Sequence, residues 1–232
     1  MHYIYLILIV ITLSYPLFKS FENKIQFYHS WKFLLPSIII SAIIFITWDL
    51  WFTHIGIWQF NPDYILGFYI LNLPIEEWLF FIVVPFSCIF IYEVMNYYIK
   101  KDLLARSCKH ITNLLAITLL LIGIAYNHCL HTFITFLSLS IFLFFHQYIL
   151  RSAYLGRYYI SWIVCMIPFL IINGVLTAMP VLIYNESEII GIRIYTIPVE
   201  DVFYGMLLYL SVLTIYEGLK QNRDFKKNSF RQ

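Results

Sequence analysis

Residues 74–81 read Pro-Ile-Glu-Glu-Trp-Leu-Phe-Phe and open an apolar run that carries no further charge until Glu93. Ionisable side chains at the edge of a hydrocarbon phase are costly, so they usually have a functional reason. A similar phrase, Pro-Val-Glu-Asp, returns at residues 198–201 and opens a second apolar run, 124 positions after the first. We interpret the chain as two copies of one membrane unit that bring two acidic motifs together.

The composition is that of a membrane protein. Of the 232 residues, 61% are hydrophobic, 20% are aromatic and 12% are charged, whereas a soluble domain carries about 25% charged residues. The basic residues are spread over several short loops, so no nucleic-acid surface is predicted. Residues 3–13 have no basic segment before them and no small-residue cleavage site after them, so we count them as a span and not as a signal peptide.

Apolar segments of membrane-spanning length predict an all-α membrane protein with seven transmembrane helices. The predicted spans are residues 3–18, 32–53, 74–99, 111–127, 131–150, 158–182 and 196–219. With these spans, all but one of the 15 Lys and Arg residues lie on one side of the membrane, Arg193 being the exception. Because basic loops remain in the cytoplasm, the N-terminus is expected outside and the C-terminus inside.

A shift of 124 positions aligns the two halves without a gap. The matched pairs are Phe45 and Phe169, Asp49 and Asn173, Thr53 and Thr177, Asn61 and Asn185, Gly67 and Gly191, Pro74 and Pro198, Glu76 and Glu200, Glu77 and Asp201, Tyr92 and Tyr216, and Glu93 and Glu217. Spans 1–3 therefore match spans 5–7, and span 4 keeps both units in the same orientation, as in parallel-repeat membrane proteins. The expected divisions are a first three-helix repeat at 1–109, a linker helix at 110–128, and a second repeat with a basic cytoplasmic tail at 129–232.

The repeat brings the acidic groups to one depth near the outer boundary of the hydrocarbon. Acidic residues in the first turn of a helix can simply cap its amides and suit its dipole. The acidic motif, however, occurs twice and lies at the depth of Asp49, which is inside a span and caps nothing, and this favours a functional site. The nearby Trp residues fit an interfacial belt as well as a binding pocket.

Other polar groups are assigned structural roles. Tyr92-Glu93 and Tyr216-Glu217 lie about 28 Å from the prolines at 1.5 Å per residue, where they are expected to pair with basic residues. His128 and His131 have helical spacing but no third ligand is evident, so loop polarity is the favoured interpretation and no metal site is predicted. The four cysteines lack CxxC spacing and are interpreted as small apolar residues.

The predicted site suits acid–base chemistry on an apolar substrate. Burial disfavours the charged form of a carboxyl group, so such a site can hold a proton and deliver it while a neighbour takes one back. Aromatic faces can stabilise a developing cation. Acid, base and an apolar aromatic pocket together fit proton-initiated chemistry on an alkene. The chain has no GxGxxG fingerprint, no DxxxD-type motif, and no lysine deep in the last span, which argues against nucleotide binding by that fingerprint, prenyl transfer and a retinal protein.

At these residues the chain resembles the integral-membrane lycopene cyclases of the heterodimeric type, in their fused, single-chain form. The resemblance is carried by Asp49, Gly56-Ile57-Trp58-Gln59-Phe60-Asn61 and Pro74 to Phe81 in the first half. In the second half it is carried by Asn173-Gly174-Val175-Leu176-Thr177 and Pro198-Val199-Glu200-Asp201. Other family members work as two three-span subunits, which would explain the internal repeat.

The resemblance implies cyclisation of the linear ends of lycopene into β-rings, giving β-carotene by way of γ-carotene, with no cofactor. It implies a multi-pass protein of the cell membrane that meets lycopene, other lipophilic carotenoids and membrane lipid. The implied catalytic residues are Glu76 and Glu77 as candidates for acid and base, Glu200 and Asp201 as the matching pair, and Asp49, which would orient or relay protons. The implied substrate-binding residues are Trp58, Phe60, Asn61, Trp78, Phe80, Phe81, Asn173, Thr177, Phe203 and Tyr204. Since Asn173 replaces the carboxyl group of Asp49, the two halves are not expected to be equivalent.

Alternatives stay open at this point. Some relatives cyclise longer, prenyl-extended carotenoids, and the motifs do not separate these substrates. A proton-coupled transporter would also place carboxyl groups in a bundle with internal repeats, although its site would usually lie near the midplane. The sequence does not distinguish acid from base, or say which repeat catalyses. It also leaves open the ring type and the oligomeric state, a homo-oligomer included.

Overall fold

The computed structural model describes residues 2–229, with side chains for residues 2–223. Seven helices account for most of this range. They are α1 (Ile4–Lys19), α2 (Trp31–His54), α3 (Ile75–Tyr98), α4 (Cys108–Ala125), α5 (Leu130–Phe144), α6 (Leu155–Ala178) and α7 (Val199–Ser229). A π-helical segment, Phe145–Leu150, extends α5. Six of these helical segments are long and apolar enough to cross a membrane, and Ile4–Lys19 is a shorter apolar helix.

The helix positions follow the apolar runs closely. The largest difference is at the end of α7, which continues to Ser229 although the predicted span ends at residue 219. Helix α6 ends at Ala178, not near residue 182, and α7 begins at Val199, not at residue 196. Between α2 and α3, and again between α6 and α7, the chain forms short strands that the sequence analysis did not predict. These are β1 (Trp58–Phe60), β2 (Tyr69–Ile70), β3 (Leu73–Pro74), β4 (Leu182–Tyr184), β5 (Arg193–Ile194) and β6 (Ile197–Pro198).

Two loops, residues 55–74 and 179–198, meet at one end of the bundle, which we call the hairpin end. Strands β1 and β4 pair antiparallel, with Gln59 opposite Ile183 at the centre. The Asn61 amide donates to the Val181 carbonyl at 2.9 Å, and the Asn185 amide donates to the Ile57 carbonyl at 2.8 Å. The two bonds are equivalent under the shift of 124 positions, because Asn61 corresponds to Asn185 and Ile57 corresponds to Val181. Each loop therefore donates one of these bonds and accepts the other, so the contacts are reciprocal.

Each loop then turns back through a small hairpin that fixes where the acidic helix begins. Strand β2 pairs with β3, and β5 pairs with β6. The Ile75 amide donates to the Phe68 carbonyl at 2.8 Å, and the Val199 amide donates to the Ile192 carbonyl at 3.0 Å. Pro74 and Pro198 each come directly before the first helical residue, so the acidic pair falls in the first turn of α3 and of α7.

The two acidic helices lie at the centre of the bundle. Helix α1 packs on α3 and α5 packs on α7, while α2 packs on α7 and α6 packs on α3. Helices α3 and α7 also contact each other, and α4 packs along α5. Each acidic helix is therefore enclosed by helices from both halves of the chain, and the two motifs are brought to the same end.

At the opposite end, charged groups pair as the sequence predicted. The Tyr216 hydroxyl donates to Glu93 Oε1 at 2.6 Å, and Lys220 Nζ lies 2.7 Å from the same oxygen. This network joins α3 to α7 at their far ends. In the predicted basic tail, Arg231 lies outside the described residues, and Lys226 and Lys227 belong to the helix without described side chains.

Candidate functional site

A cavity of about 420 Å³ lies between α1, α3, α6 and α7 and reaches the hairpin end. Three of the five predicted catalytic carboxyl groups line it, namely those of Asp49, Glu77 and Asp201. They come from three different helices, α2, α3 and α7. Because all three line the same cavity, the three groups form one cluster.

Two tyrosines donate to this cluster. The Tyr5 hydroxyl donates to Glu77 Oε2 at 2.5 Å, and the Tyr184 hydroxyl donates to Asp201 Oδ2. Burial and the neighbouring Asp201 raise the pKa of Tyr184 well above its usual value, so this phenol keeps its proton and acts as a donor. A hydroxyl donor stabilises the charged form of the carboxyl group that accepts its bond. The hydroxyl donors therefore favour the charged form of Glu77 and of Asp201 more than burial without a donor would.

Asp49 differs from its two neighbours. Its side chain is buried, and its Oδ2 atom has no hydrogen-bond partner among the described residues. Three carboxyl groups sharing one apolar cavity cannot all be charged at low cost, because like charges repel and burial penalises each of them. Of the three, Asp49 has the least support for a negative charge.

Aromatic and small polar side chains form the walls around the acids. Of the predicted substrate-binding residues, those that line the cavity are Trp58, Phe60, Phe80, Asn173, Thr177 and Tyr204. The Tyr204 ring packs edge-on against Trp58, with centroids 6.3 Å apart. Further along the cavity the lining is apolar and includes Trp162 and Phe169. The arrangement is a polar acidic end joined to a long apolar channel.

Glu76 and Glu200 are close in sequence to the cavity acids but do not line the cavity. Glu76 Oε1 accepts the Leu66 amide at 2.6 Å, and Glu200 Oε1 accepts the Ile190 amide at 2.8 Å. Glu200 Oε1 also accepts the Thr132 hydroxyl at 2.6 Å. These hydrogen bonds hold the two hairpin loops against the first turns of α3 and α7. They favour a structural role for Glu76 and Glu200 over a catalytic one.

Four predicted substrate-binding residues also lie outside the cavity lining. The Asn61 side chain accepts the Asp63 amide at 3.0 Å and so shapes its loop. Phe81 packs near Phe45, and Phe203 packs on Phe136 with centroids 5.0 Å apart. Trp78 packs against the main hydrophobic core.

Several cavity residues were not found by sequence reasoning. Tyr5 and Tyr184 do not occupy matching positions of the repeat, so the alignment of the halves gave no signal for them. His131, which does not line the cavity, is the second residue of α5 and is fully buried beside the rings of Trp58 and Tyr184. The interpretation as loop polarity is therefore wrong for His131, whereas His128 is exposed in the loop before α5.

The two loop-pinning glutamates yield a stability prediction. Glu200→Leu should destabilise the solubilised protein more than Glu76→Leu, because it leaves two donors unpaired and not one, and the additional donor, the Thr132 hydroxyl, is fully buried. Each unpaired buried donor costs about 1–3 kcal/mol. Thermal unfolding followed by size-exclusion chromatography measures the difference, and equal stability of both variants with the unsubstituted chain would contradict the assignment.

The apolar helices and the enclosed acidic, aromatic cavity define a multi-pass membrane protein with a site suited to a lipophilic ligand. The chain belongs to the lycopene cyclase family, whose family model, described as "Lycopene cyclase", matches residues 2–95 and 114–219. It is also 23% identical over 95 residues to a bifunctional lycopene cyclase/phytoene synthase of Aspergillus oryzae (strain ATCC 42149 / RIB 40). That match covers 41% of this chain and 16% of the fungal protein. No solved structure matches the chain.

Proposed function

We propose that this protein is a lycopene β-cyclase, which closes the linear ends of lycopene into β-rings and gives β-carotene by way of γ-carotene. The observation that carries the proposal is the convergence of Asp49, Glu77 and Asp201 on one cavity with aromatic walls. The reaction is an isomerisation, because one proton is added and one is lost for each ring. It needs no redox partner, so a cofactor-independent intramolecular lyase is the proposed class.

We propose the membrane arrangement that the sequence predicted. Helix α1, with 16 residues, is counted as the seventh span because it packs along α3 through the bundle. The reciprocal loop contacts support two parallel repeats, with the divisions 1–109, 110–128 and 129–232. The positive-inside rule places the N-terminus and the hairpin end outside and the C-terminus in the cytoplasm of a cell-membrane protein.

In the proposed first step Asp49 donates a proton to the terminal double bond of the bound carotenoid. This assignment refines the sequence-based expectation, which gave Asp49 an orienting or relaying role. Asp49 is the carboxyl group without a hydroxyl donor, whereas Glu77 and Asp201 each accept one. Protonation makes a tertiary cation, and the neighbouring alkene closes on it to form the ring carbon–carbon bond.

The second step returns the proton to the cluster. Glu77 or Asp201 takes the proton that the ring cation loses, which sets the ring double bond. Because Asp49 shares one cavity with both of these groups, a proton transfer within the cluster restores the starting state. A general acid and a general base in one site typically contribute about 10²–10⁴-fold each.

The walls stabilise the cation and keep water away from it. The faces of Trp58, Phe80 and Tyr204 line the acidic end of the cavity, and aromatic faces attract cations by about 0.5–2 kcal/mol each. An apolar lining also disfavours water, which would otherwise capture the cation. Ring closure and proton loss are then the accessible outcomes.

Expression of the chain alone in a lycopene-accumulating bacterial host tests the proposal. We expect red lycopene to be converted to yellow β-carotene, separated and identified by chromatography. Unchanged lycopene, despite verified membrane insertion, would contradict a self-sufficient lycopene cyclase. Cyclisation of a prenyl-extended carotenoid in a matched host would then indicate the alternative substrate.

The two tyrosine donors lead to a prediction for the same assay. Tyr5→Phe and Tyr184→Phe should each lower conversion by about 10- to 100-fold, because a hydrogen bond to a charged group is worth about 1.5–3 kcal/mol. Initial rates in membranes, normalised to protein amount, measure the loss. Tyr148→Phe is a matched control, since Tyr148 is exposed and bonds only to Asn113. Unchanged rates in both cavity variants would remove the tyrosines from the mechanism.

A further inference from the structure

We propose that the chain has one reaction cavity, opened by Gly205, in which the two ends of a linear carotenoid react one after the other. The proposal rests on the cyclase function and deepens it, because it assigns the substrate path and the residue that makes room for it. The acidic motifs occur twice, so two equivalent sites could have been expected. The packing of the two halves argues for a single one.

The cavity breaks the symmetry of the two halves. It lies between α1, α3, α6 and α7. Under the shift of 124 positions, α1 corresponds to α5, α3 to α7, α6 to α2 and α7 to α3. The symmetry-related space therefore lies between α5, α7, α2 and α3. That second space is filled by side chains. Phe45, Phe81 and Phe136 are each buried there to an exposure of 2% or less. Phe136 packs on Phe203, and Phe81 packs near Phe45.

One residue exchange accounts for much of the difference. Gly205 stands on α7 where the other half has Phe81 on α3. A Cβ atom at Gly205 would lie 3.1 Å from Trp162 Cη2 and 3.2 Å from Phe169 Cε2. Both rings line the cavity, so any side chain at Gly205 must displace them or occupy the channel. A phenyl group at this position would fill the cavity in the way that Phe81 fills the space in the first half.

A second exchange acts in the same direction. Thr12 on α1 lines the cavity, and the matching position on α5 is Phe136. The first half therefore supplies a small residue on α1, whereas the second half supplies the larger Phe136 on α5. In both pairs the small residue lies at the cavity and the phenylalanine lies in the symmetry-related space. The cavity is therefore wider, and the symmetry-related space is filled.

The cavity is shorter than its proposed substrate and opens sideways. Its lining on α3 runs from Glu77 to Ile91, which is about 21 Å at 1.5 Å per residue. Ile11, Tyr15 and Ile171 line it and are also 57%, 66% and 61% exposed. The gap between α1 and α6 thus faces the apolar surroundings. An extended lycopene molecule is longer than this channel, so its far end leaves through the gap.

All three carboxyl groups lie at the hairpin end, so only one end of the carotenoid reaches them in a single binding event. The second ring then requires that the one-ring product leave the channel and enter again with its other end first. Free lycopene competes for the same cavity at that moment. The ratio of one-ring to two-ring product should therefore depend on the amount of lycopene.

Substitution of Gly205 tests the assignment of the cavity. Gly205→Phe should lower total conversion at least 100-fold and remove carotenoid that co-purifies with the protein, and Gly205→Ala should lower conversion several-fold. Gly218→Phe is the matched control on the same helix, because a Cβ atom there meets nothing within 4 Å, and it should stay near the unsubstituted rate. If Gly205→Phe does not fold, the Ala variant still decides the question. Conversion and bound pigment unchanged in the folded Gly205 variants would overturn the proposal.

A competition experiment tests the single path. Purified protein in liposomes is given a small amount of labelled lycopene, and excess unlabelled lycopene is added once labelled one-ring product has formed. We expect the labelled one-ring product to persist and labelled two-ring product to fall several-fold. Labelled two-ring product that forms at the same rate with and without the excess would show processing of both ends without release. If the unsubstituted chain forms no ring at all, the cyclase function fails, while the co-purified pigment of the Gly205 series still tests the cavity.

Discussion

Replacing Asp49 with asparagine is expected to reduce lycopene conversion by about 10²–10⁴-fold while the protein remains folded in the membrane. The amide keeps the shape of the side chain but has no acidic proton to give to an alkene. Asn173 already occupies the matching position of the other half, so the fold accommodates this residue type at this place. Initial rates of ring formation in isolated membranes measure the effect.

Two variants control the interpretation. Asp49→Glu keeps the acid and should retain more activity than Asp49→Asn, with a loss that reflects geometry alone. Asp63→Asn removes an exposed carboxyl group from the hairpin-end loop and should leave the rate unchanged. A rate for Asp49→Asn within threefold of the unsubstituted chain would assign the proton donor to another group.

Much of the bundle could be predicted from the sequence because its cause is simple. Apolar runs must be helical in a membrane, since no water is available to satisfy their backbone groups. The 124-residue shift then identified which polar side chains lie at the same depth. That reasoning predicted that Asp49, Glu77 and Asp201 lie together.

The sequence could not separate Glu76 from Glu77, because their roles depend on rotation about the helix axis. Neighbouring residues on a helix point about 100° apart. In α3 this rotation turns Glu77 into the cavity and Glu76 towards the Leu66 amide. The hairpin β2–β3 fixes the first residue of α3, and short strands of two residues leave too little pattern to be recognised.

The tyrosine donors were missed for a different reason. Tyr5 reaches Glu77 from α1 of the first half, and Tyr184 reaches Asp201 from β4 of the second half, so the two donors come from different elements. Neither has a counterpart under the shift. The cavity is formed where the two halves differ, for example at Gly205, which matches Phe81 in the alignment. A comparison that looks for similar residues in the two halves does not detect such positions.

Single replacement of either tyrosine-bound carboxyl group is expected to reduce conversion by about 100-fold. Glu77→Gln and Asp201→Asn each remove one negative charge from the cavity, although the two residues come from different halves of the chain. In a single site the ring cation is held by both charges while one of them takes its proton. Loss of either group therefore slows the same step. Rates of ring formation in membranes at matched protein amounts measure this loss.

The double variant distinguishes one site from two. Groups that act as a unit give losses that are far from additive, so the combined loss in Glu77→Gln/Asp201→Asn should be well below the product of the two single losses. If each half instead worked as its own site, each single variant would keep about half of the activity and only the double variant would be inactive. Because Glu77 and Asp201 meet in one cavity through the packing of α3 and α7 against each other, we expect the first pattern. Either repeat without its partner would then lack part of the acid–base cluster.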